Sequence, residues 1–425
     1  MISKIEKRRE FLLSCATVTR TIHAPIIDLV AVKGHLNPAG LGEVLAFSGD
    51  NRGQSTVGFD TQAEFHDAEA GRNIYGGAEY AVVQSPEAEA VCKKMAALHG
   101  GAGAVILGSG LNAIVIVFQT FLKNEAASIA IPDNRYYPAE RALKHLKTLN
   151  PYLHIYRYPG DADAATVGAV LDCAEGEGNP VAMLYLEAPG SQTFEIPDLD
   201  GLVALAKDRA IRTVMDNTWA SHVRYKPLAH GVDIVVQATT KYEGGYADTP
   251  SGVAIAANDT DFKALSYTVR ALGAGAVSPQ ICSRLSQRVE STEARMDQHY
   301  ESALAILLWA RSQLQIETVL CPFDPQSPYF ARFQKYFRKG NGLMTLAFRP
   351  AVTQAEIDAF LDHLLLFRIG ESWGGHVSLA LVAKPARGLK TPTLPEGIMV
   401  RLSIGLEDAG DLARDLQQAA QAAFT

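Results

Sequence analysis

RTVMDNTWASHVRYKPLAHGVDIVVQATTK, residues 212–241, holds two short apolar runs that each stop on an ionisable residue. The first ends at Asp216, followed by Asn217; the second ends in Ala-Thr-Thr and Lys241. Short apolar runs between polar residues read as strands buried on both faces, the signature of a parallel sheet covered by helices. Working outward, AVILGS (104–109), SIAIP (128–132), VAMLYLEA (181–188) and SGVAIAA (251–257) read the same way. Between them NAIVIVFQTFLK (112–123), PAERALKHLKTL (138–149) and LDGLVALAKDR (199–209) carry helical periods. This alternation predicts an α/β fold with a mostly parallel sheet, in which ligands bind at the carboxyl ends of the strands.

On either side the pattern changes. Residues 1–80 have no sustained period and break on glycines and polar residues, as in NPAGLGEVLAFSGDNRGQSTVG (37–58); they read as an arm that packs on another subunit. Pro279 opens one long helical stretch, 279–313. It leads to an α+β unit with a strand (GLMTLAFRP, 342–350), a helix (TQAEIDAFLDHLLLF, 353–367) and a second strand–helix pair (GIMVRLSIGL, 397–406; DAGDLARDLQQAAQAAF, 408–424). The expected division is an N-terminal segment 1–80, a large domain 81–278, and a linking helix with a small domain 279–425.

The 425 residues include 48% hydrophobic and 20% charged residues, enough apolar material for a sizeable core. A formal net charge of -7 lacks the basic footprint of a nucleic-acid-binding protein and offers no attraction to an anionic membrane. The five cysteines, Cys15, Cys92, Cys173, Cys282 and Cys321, are scattered and form no C-x-x-C pair. Neither a metal motif nor a disulfide framework is expected, and a reducing cytoplasm is the simple reading. KIEKRREFLLSCA near the start has too short an apolar patch for a leader. No run of about 18 apolar residues is present to span a membrane.

Asp216 alone could cap the next turn, and Lys241 alone could reach solvent. Together, at the ends of separate strands in one parallel sheet, they suit an aldehyde cofactor. The amine forms an imine with it, and the carboxylate stabilises a protonated pyridine ring that takes up electrons. ILGSGLNA (106–113) adds a glycine-rich strand-to-helix turn whose backbone N–H groups can hold a phosphate.

GGAGAVILGSGLNA (100–113), YLEAPGS (185–191), MDNTWAS (215–221), QATTKY (237–242), SWGG (372–375) and VRLSIGLED (400–408) resemble, in this order, the pyridoxal-phosphate enzymes of cysteine and methionine metabolism, cystathionine β-lyases above all. The resemblance implies an aminotransferase-like, fold type I architecture with a large domain of seven-stranded type. It also implies pyridoxal 5′-phosphate as cofactor and a homodimer or homotetramer with shared active sites. Lys241 would carry the cofactor and act as acid and base, with Tyr136 and Tyr80 as further catalytic residues. Asp216 would pair with the ring nitrogen, and Tyr136, rather than Tyr137, would stack on the ring. Gly110 and Leu111 would donate to the phosphate, with Thr240 adding a hydroxyl. Arg401 and Ser372 would hold the substrate carboxylate, and Trp373 would line the pocket. A Trp in SWGG points to β-elimination on cystathionine or a related β-thio amino acid. γ-Elimination or γ-replacement on a homoserine-, methionine- or sulfonium-type substrate is the alternative, and a cofactor-binding relative without turnover is a third reading.

The chain also departs from the family pattern. Where the family has an arginine two residues after a tyrosine there is Val82 if the tyrosine is Tyr80, or Gly77 if it is Tyr75, with Arg52 and Arg72 as candidate replacements. QRVEST (287–292) stands in place of Arg-Gly-Leu-x-Thr-Leu, Glu371 precedes Ser372 where β-lyases carry Tyr, and Val377-Ser378 replaces Glu-Ser.

Overall fold

The computed structural model describes residues 61–69, 84–123, 127–389 and 394–424. In chain order the elements that matter here are α1 (Gln62–Glu69), α2 (Pro86–His99), β1 (Gly103–Leu107), α3 (Gly110–Phe121), β2 (Ser128–Pro132), α4 (Tyr137–Leu149), β3 (His154–Tyr158), α5 (Ala164–Gly176), β4 (Val181–Glu187), α6 (Leu199–Asp208), β5 (Arg212–Asp216), α7 (Ser221–Arg224), β6 (Ile234–Gln237), β7 (Gly252–Ala256) and α8 (Asp259–Ala271). There follow α9 (Pro279–Arg288), α10 (Thr292–Arg311), β8 (Ile316–Leu320), α11 (Phe330–Tyr336), β9 (Leu343–Phe348), α12 (Gln354–Asp362), β10 (Arg368–Ile369), β11 (Leu379–Val382), β12 (Met399–Ser403) and α13 (Ala409–Ala423).

The first sheet has seven strands in the order β1-β7-β6-β5-β4-β2-β3. All run parallel except β7, which is antiparallel to both β1 and β6. β1, β2, β6 and β7 are buried along their length, and β5 at every position but Arg212, as their apolar runs require. β3 escaped the sequence reading because HIYRY is half-exposed at four of five positions and does not form an apolar run. The second sheet runs β10-β11-β12-β9-β8, with only the β10–β11 pair parallel. Sequence showed its two central strands; β8 is broken by Glu317 and Thr318, and β10 is two residues long.

Two further expectations need correction. The segment read as irregular contains α1, whose eight residues QAEFHDAE hold too few apolar side chains to show a period. The stretch 279–313 is not one helix. A 3-10 turn at Val289–Ser291 separates α9 from α10. Tyr80, Val82, Arg52 and Arg72 lie outside the described residues.

We propose a division near residue 278, although the core crosses it: Phe194, Ile196 and Leu199 pack in one apolar cluster with Ile306, Phe333 and Leu343. This shared core holds the two sheets in a fixed relation around the carboxyl edge of the first. Within the second unit, Asp415 of α13 is buried, and its carboxylate accepts the backbone N–H groups of Leu365 (2.8 Å), Leu366 (2.8 Å) and Phe367 (3.2 Å). It thereby satisfies the turn that follows α12. Asp415→Ala strands those donors and is expected to lower unfolding free energy by about 3 kcal/mol, read as a fall in the denaturant midpoint.

Candidate active site

Asp216 is the last residue of β5, and Lys241 sits in the turn that follows β6, the next strand in the sheet. Both open into a cavity of about 220 Å³ at the carboxyl edge. Gly110, Leu111, Tyr136, Thr240, Trp373 and Arg401 line the same cavity. Ser372 joins them through hydrogen bonds to both cationic residues. A larger cavity of about 670 Å³, along β8, shares only the wall at Phe194 and contains none of these groups.

The α3 end of the site is built by close approach. Ser109 caps α3, its hydroxyl accepting the Asn112 N–H at 3.1 Å. The N–H groups of Gly110 and Leu111 are in the first turn, where no intrahelical acceptor exists. Gly110 is required there: a Cβ would lie 2.4 Å from the Ala238 Cβ. No residue lining this end, Ser109, Gly110, Leu111, Ala238 or Thr240, carries a charge. The Thr240 hydroxyl spans the backbone of Ser251, donating to its carbonyl and accepting from its N–H, each at 3.0 Å. Donating to a phosphate would require it to leave the Ser251 carbonyl.

Asp216 is buried, and burial raises its carboxyl above the usual range. Opposing this, it accepts the N–H of Thr218 at 2.9 Å, the Thr218 hydroxyl at 2.5 Å and the Tyr185 hydroxyl at 3.4 Å, and Lys241 adds its charge. Directly across the β4–β5 ladder is Glu187, a second buried carboxyl in the cavity wall. Burial, then the charge of Asp216, pushes Glu187 well above the ordinary carboxylate range. Its Oε2 accepts the backbone N–H of Tyr136 at 2.6 Å, which fixes the start of α4 and leaves the Tyr136 ring 41% exposed over the cavity. Tyr137 points elsewhere, against Arg135 and Lys144.

Lys241 Nζ donates to Ser372 Oγ at 2.6 Å and stands 5.1 Å from the centroid of the Trp373 ring. Burial, reinforced by the Arg401 guanidinium, lowers its ammonium to about 8; Asp216 and Glu371 act in the opposite sense. Arg401, on β12, donates to the Ser372 carbonyl at 2.9 Å, and its buried Nε has no partner among the described residues. Ser372 thus serves both cations, and it does so from the left-handed region at φ 82°, a strained conformation for a serine.

Residues 53–421 match the family model described as Cys/Met metabolism PLP-dependent enzyme. The chain belongs to this family. It is 31% identical to a cystathionine beta-lyase of Bordetella avium over 86% of this chain and 89% of that one. It is 30% identical to an L-alanine/L-glutamate racemase of Wolbachia pipientis over 86% of this chain and 90% of the relative. Among solved structures, cystathionine gamma synthase from Xanthomonas oryzae in complex with cystathionine superposes with a TM-score of 0.75, at 26% identity, over 87% of this chain and 92% of that one. The fold is therefore that of the type I pyridoxal-phosphate enzymes, and the chain is cystathionine beta-lyase-like.

The residues present fit pyridoxal phosphate. The glycine-permitted approach at Gly110 leaves backbone donors free for an oxyanion. A buried carboxylate and a depressed amine line one cavity with those donors, the two groups that a pyridine nitrogen and an aldehyde require. Sequence reasoning assigned no role to Glu187 or Thr218, although both lie in quoted motifs. The signal for Glu187 was available, because an acid closing an apolar strand is as costly there as at Asp216. Nothing in sequence pairs Thr218 with the Ala238 N–H, which it accepts at 2.9 Å.

The state of Lys241 can be read without cofactor. Below about pH 8 the protonated, unreactive ammonium predominates; above it the free amine does. Labelling of Lys241 in the cofactor-free protein by an amine-selective reagent is expected to be half-maximal near pH 8, whereas ordinary lysines respond near 10.4. Arg401→Gln removes a neighbouring positive charge and moves the midpoint up; Glu371→Gln removes a negative one and moves it down.

Proposed function

We propose that this chain is a carbon–sulfur lyase that carries out β-elimination on cystathionine or a related β-thio amino acid, releasing a thiol, ammonia and pyruvate. The observation that carries the reading is Trp373. Its ring lies 5.1 Å from Lys241 Nζ and lines the cavity with Arg401, and a tryptophan at this point of SWGG is the feature that resembles the cystathionine β-lyases. The Bordetella relative, a cystathionine beta-lyase, supports the same choice.

Bound pyridoxal phosphate supplies an aldehyde that condenses with amines and a ring that takes up the electron pair released at the α carbon. The chain's own residues do the rest. Gly110 and Leu111 would present N–H groups to its phosphate, Asp216 would pair with the ring nitrogen, and Tyr136 would cover the ring. Arg401 offers its unpaired Nε and remaining N–H groups to the substrate carboxylate, a planar match to two oxygens. With that end held, the α C–H lies toward Lys241. At neutral pH an amine lowered to about 8 is partly unprotonated, so Nζ takes the α proton and returns it to the departing sulfur. Trp373 and Ser372 keep water and competing donors from the amine.

A second reading, γ-elimination or γ-replacement, is favoured by the likeness to cystathionine gamma synthase. The racemase relative shares the first requirement, a base at the α carbon. We further propose a cytoplasmic homodimer or homotetramer. The uncharged α3 end of the site and the exposed Leu149, Tyr267 and Leu272 support assembly, and Cys92, Cys173, Cys282 and Cys321 are unpaired thiols.

Product identity tests the main reading. With cystathionine the expected keto acid is pyruvate, with homocysteine as the thiol. A predominance of 2-oxobutyrate and cysteine assigns the γ reaction instead, and epimerisation at an α carbon without a keto acid assigns racemisation. Asp216→Asn is expected to slow turnover by about 100-fold, because an amide does not hold the ring nitrogen protonated and roughly 3 kcal/mol of barrier stabilisation is lost. A rate near wild type would make Asp216 a structural residue.

A further inference from the structure

We propose that Arg295, assisted by Arg288, is a positioning residue for Lys241: it grips the backbone of the turn that carries the lysine and so sets where Nζ stands. This rests on the reading of Lys241 as the group that moves the substrate proton.

After β6 the chain makes one open turn. Lys241 N bonds to Ala238 O at 3.1 Å, Gly244 N to Thr239 O at 2.8 Å, and Gly245 N to Lys241 O at 2.8 Å. The next two carbonyls, of Tyr242 and Glu243, belong to fully buried residues and would be costly to leave unmet. Arg295 meets both: Nη1 donates to Tyr242 O and Nη2 to Glu243 O at 3.2 Å. Its other contacts are Ser291 Oγ at 3.2 Å, Arg288 O at 3.0 Å and Thr292 Oγ at 3.4 Å. A guanidinium only 8% exposed is thus spent on carbonyl and hydroxyl oxygens. Burying a charge in this way is unfavourable unless its donors are matched in place, and the rigid fork of an arginine does that where an ammonium does not.

Three features show that the site is built for this contact. Gly245 is left-handed at φ 72°, and a Cβ there would lie 2.2 Å from Arg295 Nη1. The 3-10 turn at Val289–Ser291 interrupts the helical ladder and turns the Arg288 carbonyl and the Ser291 hydroxyl toward Arg295. This is the stretch QRVEST, which the function described above does not use. Arg288, at the end of α9, holds the far side of the same segment: it reaches Gly244 O at 3.4 Å, pairs with Asp248 at 3.0 Å and lies 4.6 Å from the Tyr246 ring. From the opposite direction Gly374 presses on the Lys241 backbone, where a Cβ would be 3.2 Å from the Lys241 carbonyl carbon. Lys241 is therefore held between two rigid supports, and removing one lets it shift toward water.

The test compares Arg295→Met, Arg295→Lys and Arg288→Ala in the cofactor-loaded enzyme, with Lys241 labelling of the cofactor-free protein as a second readout. Arg295→Met keeps bulk and removes every donor. It is expected to lower kcat about 30-fold or more with KM within about threefold, the signature of a displaced group. Its labelling midpoint is expected to rise above about 8 as the amine meets water. Arg295→Lys is expected to recover only part of both effects, and Arg288→Ala to show a weaker change, about fivefold in kcat, in the same direction. Wild-type kcat and midpoint in Arg295→Met overturn the proposal. If that variant does not fold, wild-type values in both Arg295→Lys and Arg288→Ala overturn it. The midpoint reports on Lys241 without turnover. A shifted midpoint together with an active Lys241→Ala enzyme would therefore condemn the proton-moving role and leave the clamp standing.

Discussion

A buried carboxylate and a half-buried amine stand at the carboxyl ends of neighbouring parallel strands, and among the described residues neither is neutralised by a simple ion pair. Thr218 and Tyr185 donate to Asp216 and oppose the burial that raises it, and Lys241 is held by a serine hydroxyl beside a second cation. Burial alone would drive each toward its neutral form. The surrounding hydrogen bonds moderate that drive, so that the acid can face a ring nitrogen and the amine can titrate near neutrality. Most of the other features of the site follow from this constraint.

Ser372 shows how the second sheet serves the first. The turn that holds it follows β10, and its hydroxyl and carbonyl meet Lys241 and Arg401. Its left-handed backbone is a local cost, accepted where one residue must address two cations from a single position. Trp373 and Gly374 follow directly, one covering the amine and the other pressing on its backbone. The apolar cluster that joins the two sheets keeps this turn over the cavity.

The legible part of the sequence was the part in which each residue's environment is set by its neighbours in the chain. Apolar runs gave the inner strands of the first sheet, because a strand buried on both faces has no room for polar residues. The edge strand β3, the polar β8 and the two-residue β10 gave no such signal. The break between α9 and α10 was hidden for a similar reason: QRVEST is compatible with helix at every position, and the turn is explained by Arg295 and the carbonyls it reaches, more than 50 positions back in the chain. Glu187 was overlooked although it closes an apolar strand just as Asp216 does.

By itself, then, the sequence determined the alternation of strands and helices, the placement of Asp216 and Lys241 at strand ends, and the glycine-rich turn before α3. These are properties of segments a few residues long, governed by burial, period and backbone freedom. Only the tertiary structure decided that Glu187 faces Asp216, that the Thr240 hydroxyl is engaged by Ser251, that Ser372 bridges Lys241 and Arg401, and that Arg295 holds the lysine's turn. Each of these joins residues from different elements, and a hydrogen bond or a shared field depends on distance in space, which no local pattern encodes.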